Sequence, residues 1–187
     1  MSLKEQLEQY IPYNEQESAD KELMLYYLDT FEDCLTRNNK VGHFCSSGFV
    51  VNRKRDKVLF IYHNIYNSWG WTGGHADGEK DLLEVAMREV KEETGVKEVK
   101  PITKNIFAID ILPLFPHVRK GKFVSGHTHL DFVYLLEVDE IQELHHKADE
   151  NKDVKWLPIE QLEEYVTEEH MLPVYKKIVE KMRKEGL

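Results

Sequence analysis

Cysteine is scarce in this chain. Cys34 and Cys45 are the only two among 187 residues, and no CxxC pair occurs. That excludes a zinc knuckle or a thioredoxin-like motif. Two small buried thiols in a reducing cytosol are the expectation, and with it a cytoplasmic location. Long apolar runs are also missing, since none approaches the roughly 18 residues of a membrane span. The first residues, Met1-Ser2-Leu3-Lys4-Glu5, lack the apolar core of a secretory signal. Positive charge is in deficit: 25 Lys and Arg stand against 34 Asp and Glu, a net charge of -9. A non-specific nucleic-acid binder needs a basic face to displace counterions, and anionic lipid attracts basic segments. No nucleic-acid polymer and no membrane partner are therefore expected. Small anionic substrates remain open, because a bound cation inverts a local field. There is no internal repeat and no low-complexity linker.

Hydrophobic residues make up 41% of the chain, and its length suffices for a core without staples. Residues 1–40 read as an N-terminal helical extension. Met24, Leu28, Phe31 and Leu35 step at helical spacing, and Asn38-Asn39-Lys40 ends the stripe. This segment either packs on the main body or forms a lid. From residue 41 to residue 187 the texture is that of one layered α/β domain. Residues 42–52 and 58–63 form a candidate hairpin across the charged turn 53–56. Residues 96–99, 105–114, 129–138 and 152–157 are further extended candidates, with Pro101 separating the first two. A short helix is expected over 159–165. Met171, Tyr175, Ile178 and Met182 mark a closing amphipathic helix.

Residues 73–96, GGHADGEKDLLEVAMREVKEETGV, carry the most information. Asp81 is an N-cap three residues before Glu84, and Gly95 is a C-terminal stop, which predicts a helix over 82–94. Leu83, Ala86, Met87, Val90 and Thr94 share one face, the core side. Glu89, Glu92 and Glu93 stand at i, i+3 and i+4, so their carboxylates converge. Glu93 lies at the edge of the apolar stripe, while Arg88 and Lys91 point to the other flank. Like charges at this spacing repel by ~0.2–0.5 kcal/mol per pair, and a hard divalent cation with oxygen ligands answers that repulsion; where phosphates are substrates, Mg²⁺ is usual. Gly73, Gly74 and Gly78 precede the helix. A glycine-bearing loop feeding a helix N-terminus is suited to phosphate oxygens.

The segment resembles the Nudix box, Gly-x5-Glu-x7-Arg-Glu-U-x-Glu-Glu-x-Gly-U with U a bulky aliphatic residue. Gly74, Arg88-Glu89-Val90-Lys91-Glu92-Glu93-Thr94-Gly95-Val96 and the spacing between them match. The one departure is Lys80 where the family has its first Glu, with Glu79 one place earlier; Glu79 and Asp77 are the candidates to stand in. Trp69 before the loop and Asp153-Val154-Lys155-Trp156-Leu157-Pro158 near the end extend the resemblance. It implies an α/β/α sandwich around a mixed β-sheet and a hydrolase that cleaves the diphosphate linkage of a nucleoside diphosphate linked to X. It also implies Mg²⁺ or Mn²⁺ held by Glu89, Glu92 and Glu93, with the Gly74 carbonyl as a further ligand and Arg88 orienting the glutamates. Glu92, Glu93 and Arg88 are thus catalytic candidates. The general base is a box glutamate or a loop carboxylate, for which Glu150 is the candidate. Homodimers are frequent in the family.

Outside the box, His127, His129 and Asp131 alternate, so on a strand they share a face, with Leu130, Phe132 and Tyr134 facing a core. Substrate contact, a second metal and plain hydrogen-bonded structure are the alternatives for this pair. His75 is a further substrate candidate, whereas His43 and His63 read as ordinary. Trp69 could stack on a base or pack the core. Arg119 lies in the basic stretch HVRKGK, a candidate phosphate-contacting hairpin. Two other functions fit the same fold. One is a non-catalytic ligand sensor, which often loses box acids. The other is an isopentenyl diphosphate isomerase, which needs a Cys ahead of its Gly-His pair; here the sequence is Thr72-Gly73-Gly74-His75. Which X is accepted depends on loops and is not legible.

Overall fold

The computed structural model describes residues 1–119, 121–149 and 151–187. A mixed sheet lies between two helical layers. Its central pair, β1 (Gly42–Val51) and β9 (His127–Glu137), runs parallel. The neighbours are antiparallel: β2 (Lys57–His63) against β1, β10 (Asn151–Pro158) against β2, and β6 (Ala108–Leu114) against β9. Two short strands, β3 (Ser68–Gly70) and β4 (Thr72–His75), pair with β2 and β1 and lead the chain into the glycine loop.

Period-two alternation sorts each central strand onto two cores. Phe44 and Val50 of β1 join Leu130, Phe132, Tyr134 and Leu136 of β9 on one face. That face is covered by α1 (Leu3–Gln9), α2 (Glu15–Thr30) and α3 (Leu82–Thr94). Phe49, Val51, Val133 and Leu135 face the other way, under Tyr175, Ile178 and Met182 of α5 (Met171–Lys184). The expected closing stripe is thus the buried face of α5. The short helix splits into a 3-10 turn (Ile159–Gln161) and α4 (Leu162–Tyr165).

Several local expectations are corrected. The N-terminal stripe ends earlier than its spacing suggests, because Phe31 is the extended C-cap of α2; Phe31 and Leu35 still pack on the core from the following turns. Residues 96–99 form no strand, since the Lys97 and Glu98 amides donate to Gln142 Oε1, both at 3.0 Å. Instead β5 (Lys100–Pro101) pairs at the outer end of β9, an edge position where a proline costs no ladder bond. The basic stretch folds as a hairpin of β7 (His117–Arg119) and β8 (Lys122–Val124).

A buried ionic knot ties three elements together at the β6 edge. Lys177 of α5 donates to Asp110 Oδ1 of β6 at 2.7 Å and lies 2.9 Å from Glu17 Oε1 of α2. Glu17 Oε2 accepts from the Tyr10 hydroxyl at 2.6 Å and from the Tyr13 amide at 2.7 Å.

Candidate active site

Helix α3 has the predicted bounds. The Asp81 side chain accepts from the Glu84 amide, and Gly95 closes the helix with a φ of 76°, a left-handed conformation that glycine adopts without a Cβ penalty. The buried face is turned from the expected one: Leu82, Val85, Ala86, Val90, Glu93 and Thr94 are buried, and Leu83 and Met87 only partly so. Packing against β1 and β4 pulls the helix round, and it carries Glu93 inward to 5% exposure.

Glu93 is held from two sides. Its Oε2 accepts from the Gly73 amide at 3.1 Å, and its Oε1 lies 3.5 Å from Asn151 Nδ2. Arg88 does not point away from the acidic face. It pairs with Glu79, lies 3.2 Å from Glu89 Oε1 and 3.7 Å from Glu92 Oε1. Its long side chain reaches back over the turn, which a helical projection of Cα positions misses. Of the two candidates for the missing first box acid, Glu79 is thus the one joined to Arg88. Asp77 is bound instead by Arg37, with bonds of 2.8 and 2.5 Å, so residues before β1 brace the glycine loop.

The donor set fits a hard divalent cation. Glu89 and Glu92 flank the Arg88 guanidinium and Glu93 holds the Gly73 amide, so three carboxylates of α3 border the glycine loop. Burial pushes the Glu89 carboxyl above its ordinary value; Arg88 opposes this and Glu92 adds to it. Gly74 sits against Glu89 so closely that a Cβ would lie 2.5 Å from Glu89 Cδ. Gly74→Ala is therefore expected to displace the Glu89 carboxylate and lower turnover by about 10²-fold, as misplacements near 1 Å do. Steady-state kinetics with a thermal melt checks it; unchanged kinetics would remove Gly74 from the site.

On the other face of the sheet, one end of β1 and β9 carries buried polar side chains. His43, Cys45 and Ser47 of β1 lie opposite His129, Asp131 and Val133 of β9, and Cys45 also opposes His75 of β4. The structure thus brings together His75, His127 and His129, and adds His43 and Cys45, which read as ordinary in the sequence. Burial lowers the His75 imidazole to about 3 and the His129 imidazole to about 2. Ser47 Oγ donates to Asp131 Oδ2 at 2.6 Å, and burial raises the Asp131 carboxyl to about 7. Asn151 was also missed; it stands at the start of β10, where a register shift marks the strand.

Two expected site residues, Glu150 and the Arg119 side chain, lie outside the described residues. Trp69 takes the packing alternative. It is buried in the core on the α5 side, with the Lys155 ammonium 4.3 Å from its ring centroid. Cys34 and Cys45 are both buried and free. No helix among the described residues is long and apolar enough to cross a membrane.

Fold and site define an α/β sandwich whose central helix presents an acidic face to a glycine loop. The NUDIX domain family matches residues 43–180. An RNA pyrophosphohydrolase of a Nitratiruptor species is 31% identical over 136 residues, covering 72% of this chain and 86% of the relative. A probable DHNTP pyrophosphohydrolase of Lactococcus lactis subsp. cremoris is 33% identical over 90 residues, 46% of this chain and 50% of the relative. Among solved structures, a NUDIX-family hydrolase from Clostridium perfringens aligns with a TM-score of 0.51 and 27% identity, over 74% of this chain and 96% of that one. The chain belongs to the NUDIX domain family. It is a hydrolase acting on phosphorus-containing acid anhydrides.

Proposed function

We propose that the chain hydrolyses the diphosphate linkage of a nucleoside diphosphate linked to X, or of a similar small organic diphosphate, and that it depends on Mg²⁺ or Mn²⁺. The observation that carries this is the placement of three α3 carboxylates along the glycine loop: Glu89 against Gly74, Glu93 on the Gly73 amide, and Glu92 joined to Glu89 through Arg88. Glu89, Glu92 and Glu93, with the Gly74 carbonyl, are the residues that would hold the cation, which would supply neutralisation of phosphate charge and polarisation of the attacked phosphorus. Arg88 keeps the carboxylates in register. Glu93 is fixed by the Gly73 amide, so the loop and helix keep one spacing. The base that takes the proton of the attacking water is a box glutamate or Glu150, whose chain neighbour Asn151 reaches Glu93. His75, His127 and His129 line the sheet end where the substrate is received.

The net charge of -9 disfavours a grip on a polyanionic backbone, but not on a terminal triphosphate. The RNA pyrophosphohydrolase relative makes a 5′-triphosphorylated RNA a worthwhile member of a substrate panel. Phosphate and pyrophosphate release is to be measured over nucleoside triphosphates, nucleotide sugars, dinucleoside polyphosphates and that RNA. Turnover of at least one supports the reading; turnover of none leaves a ligand sensor.

Acid should weaken the site earlier than for free glutamates. The Glu89 carboxyl is raised above 4.5, and its ionised form is the one that binds a cation, so protons compete from higher pH. The expected result is an apparent Mg²⁺ affinity that falls as pH falls, beginning above 4.5. A Mg²⁺ titration of turnover at several pH values checks it; an affinity constant down to pH 4.5 would contradict it.

A further inference from the structure

The histidine cluster has chemistry that substrate reception leaves unexplained. His43 and Cys45 of β1, His75 of β4 and His129 of β9 each offer one nitrogen or sulfur atom, and these four atoms all lie within 4.8 Å of one another. The register of three strands builds the convergence, since His43 pairs with His129 and Cys45 with His75. The imidazole of His43 stands 4.9 to 5.3 Å, centroid to centroid, from those of His75, His127 and His129.

One detail of this cluster calls for a cation. His43 is 3% exposed, and its Nδ1 lies 3.0 Å from the Asn39 carbonyl. A carbonyl only accepts, so Nδ1 carries the proton and Nε2 presents a lone pair. That Nε2 is buried and has no hydrogen-bond partner among the described residues, an arrangement that costs about 1–3 kcal/mol when left unmet. A backbone carbonyl on the far nitrogen is also what orients histidines that bind metal. His127 Nδ1 lies 3.0 Å from the Ser125 carbonyl and so carries the proton. The 3.2 Å between His127 Nε2 and His129 Nε2 is then a hydrogen bond donated by His129, which leaves the lone pair of His129 on Nδ1.

We propose that His43, His75 and His129, with Cys45 as fourth donor, bind a first-row divalent cation of borderline softness, with Zn²⁺ as the reference ion. Three imidazoles and a thiolate suit Zn²⁺ and its neighbours, not Mg²⁺, which prefers oxygen. Burial keeps the free Cys45 thiol protonated; on coordination the Sγ–H proton leaves to solvent and the thiolate bonds the cation. Strand β4 then separates two sites of opposite hardness. Gly74 faces Glu89 on one side, and His75 faces Cys45 on the other.

The test is titration of chelator-treated full chain with Co²⁺, a visible-absorbing stand-in for Zn²⁺, with excess Mg²⁺ present to occupy the oxygen site. One equivalent should bind, with the intense visible absorption of four-coordinate Co²⁺ and a near-ultraviolet thiolate band that Cys45→Ser removes. Zn²⁺ should displace it. His75→Gln and His129→Gln should each weaken uptake at least about tenfold, while Glu92→Gln should keep it; circular dichroism verifies that each variant is folded. The wild-type result stands without the variants: failure to take up Co²⁺ stoichiometrically overturns the proposal. Uptake that survives His75→Gln but is lost in Glu92→Gln overturns it equally. A missing thiolate band in the wild type removes Cys45 from the donor set. None of these readouts requires turnover, so they are independent of the hydrolase reading.

Discussion

Glu92→Gln and Glu93→Gln are each expected to lower Mg²⁺-dependent turnover by about 10³-fold while leaving the chain folded. The amide keeps the shape of the side chain but removes a charge and turns one of its two acceptors into a donor. A cation facing three carboxylates then faces two, and metal-assisted phosphoryl transfer draws several kcal/mol from charge neutralisation. Three decades correspond to about 4 kcal/mol at 1.36 kcal/mol per tenfold. The two positions should differ in one respect. Glu92 is exposed and touched by Arg88 at 3.7 Å, so its loss should leave the melting temperature nearly unchanged. Glu93 is buried and holds the Gly73 amide through Oε2, so Glu93→Gln should also loosen the loop. Kinetics at saturating Mg²⁺, with a melt of each variant, checks both. Near-normal turnover in either variant would remove that glutamate from the site.

Lys177→Met is expected to destabilise the fold by about 3–5 kcal/mol, the cost of leaving buried charge unpaired. Lys177 is the cation between two carboxylates with almost no solvent contact, Glu17 and Asp110. Asp110 Oδ2 already lacks a hydrogen-bond partner among the described residues, and burial raises that carboxyl to about 6 even with Lys177 present. At about 2–4 °C per kcal/mol for a domain of this size, the melting temperature should fall by roughly 6–20 °C. Adding Glu17→Gln and Asp110→Asn should restore part of the loss, since the repelling charges go with the cation. A melt of the single and triple variants decides it. A single variant as stable as the parent would mean that the knot contributes nothing to holding α2 and α5 against β6.

The parts of the fold written in local chemistry were legible. Asp81 and Gly95 mark the ends of α3, and alternation in β9 separates Leu130, Phe132 and Tyr134 from His129 and Asp131. The glycine loop and the three glutamates follow from spacing within one helix. What was not legible depends on partners distant in the chain. His43 looked ordinary because its meaning comes from lying opposite His129 in a parallel pairing, and no turn signal announces that register. Asn151 reaches Glu93 only because β10 adds to the sheet beyond β2. Arg88 was assigned to the wrong flank because a projection treats a long side chain as a point. Trp69 offered two readings that composition could not separate, and the core took it. The N-terminal segment read as packing or lid. It supplies Leu3, Leu7, Tyr10 and Met24 to the core that α3 covers, and Arg37 to the glycine loop.

On the proposed function, the acidic face of α3 hydrolyses a small diphosphate with a divalent cation. The most direct test is Mg²⁺-dependent release of phosphate or pyrophosphate across the substrate panel, with the wild type and Glu92→Gln measured side by side. Turnover should vanish on chelation, return with Mg²⁺, and fall about 10³-fold in the variant. Turnover indifferent to chelation, or equal in the two proteins, would contradict that function.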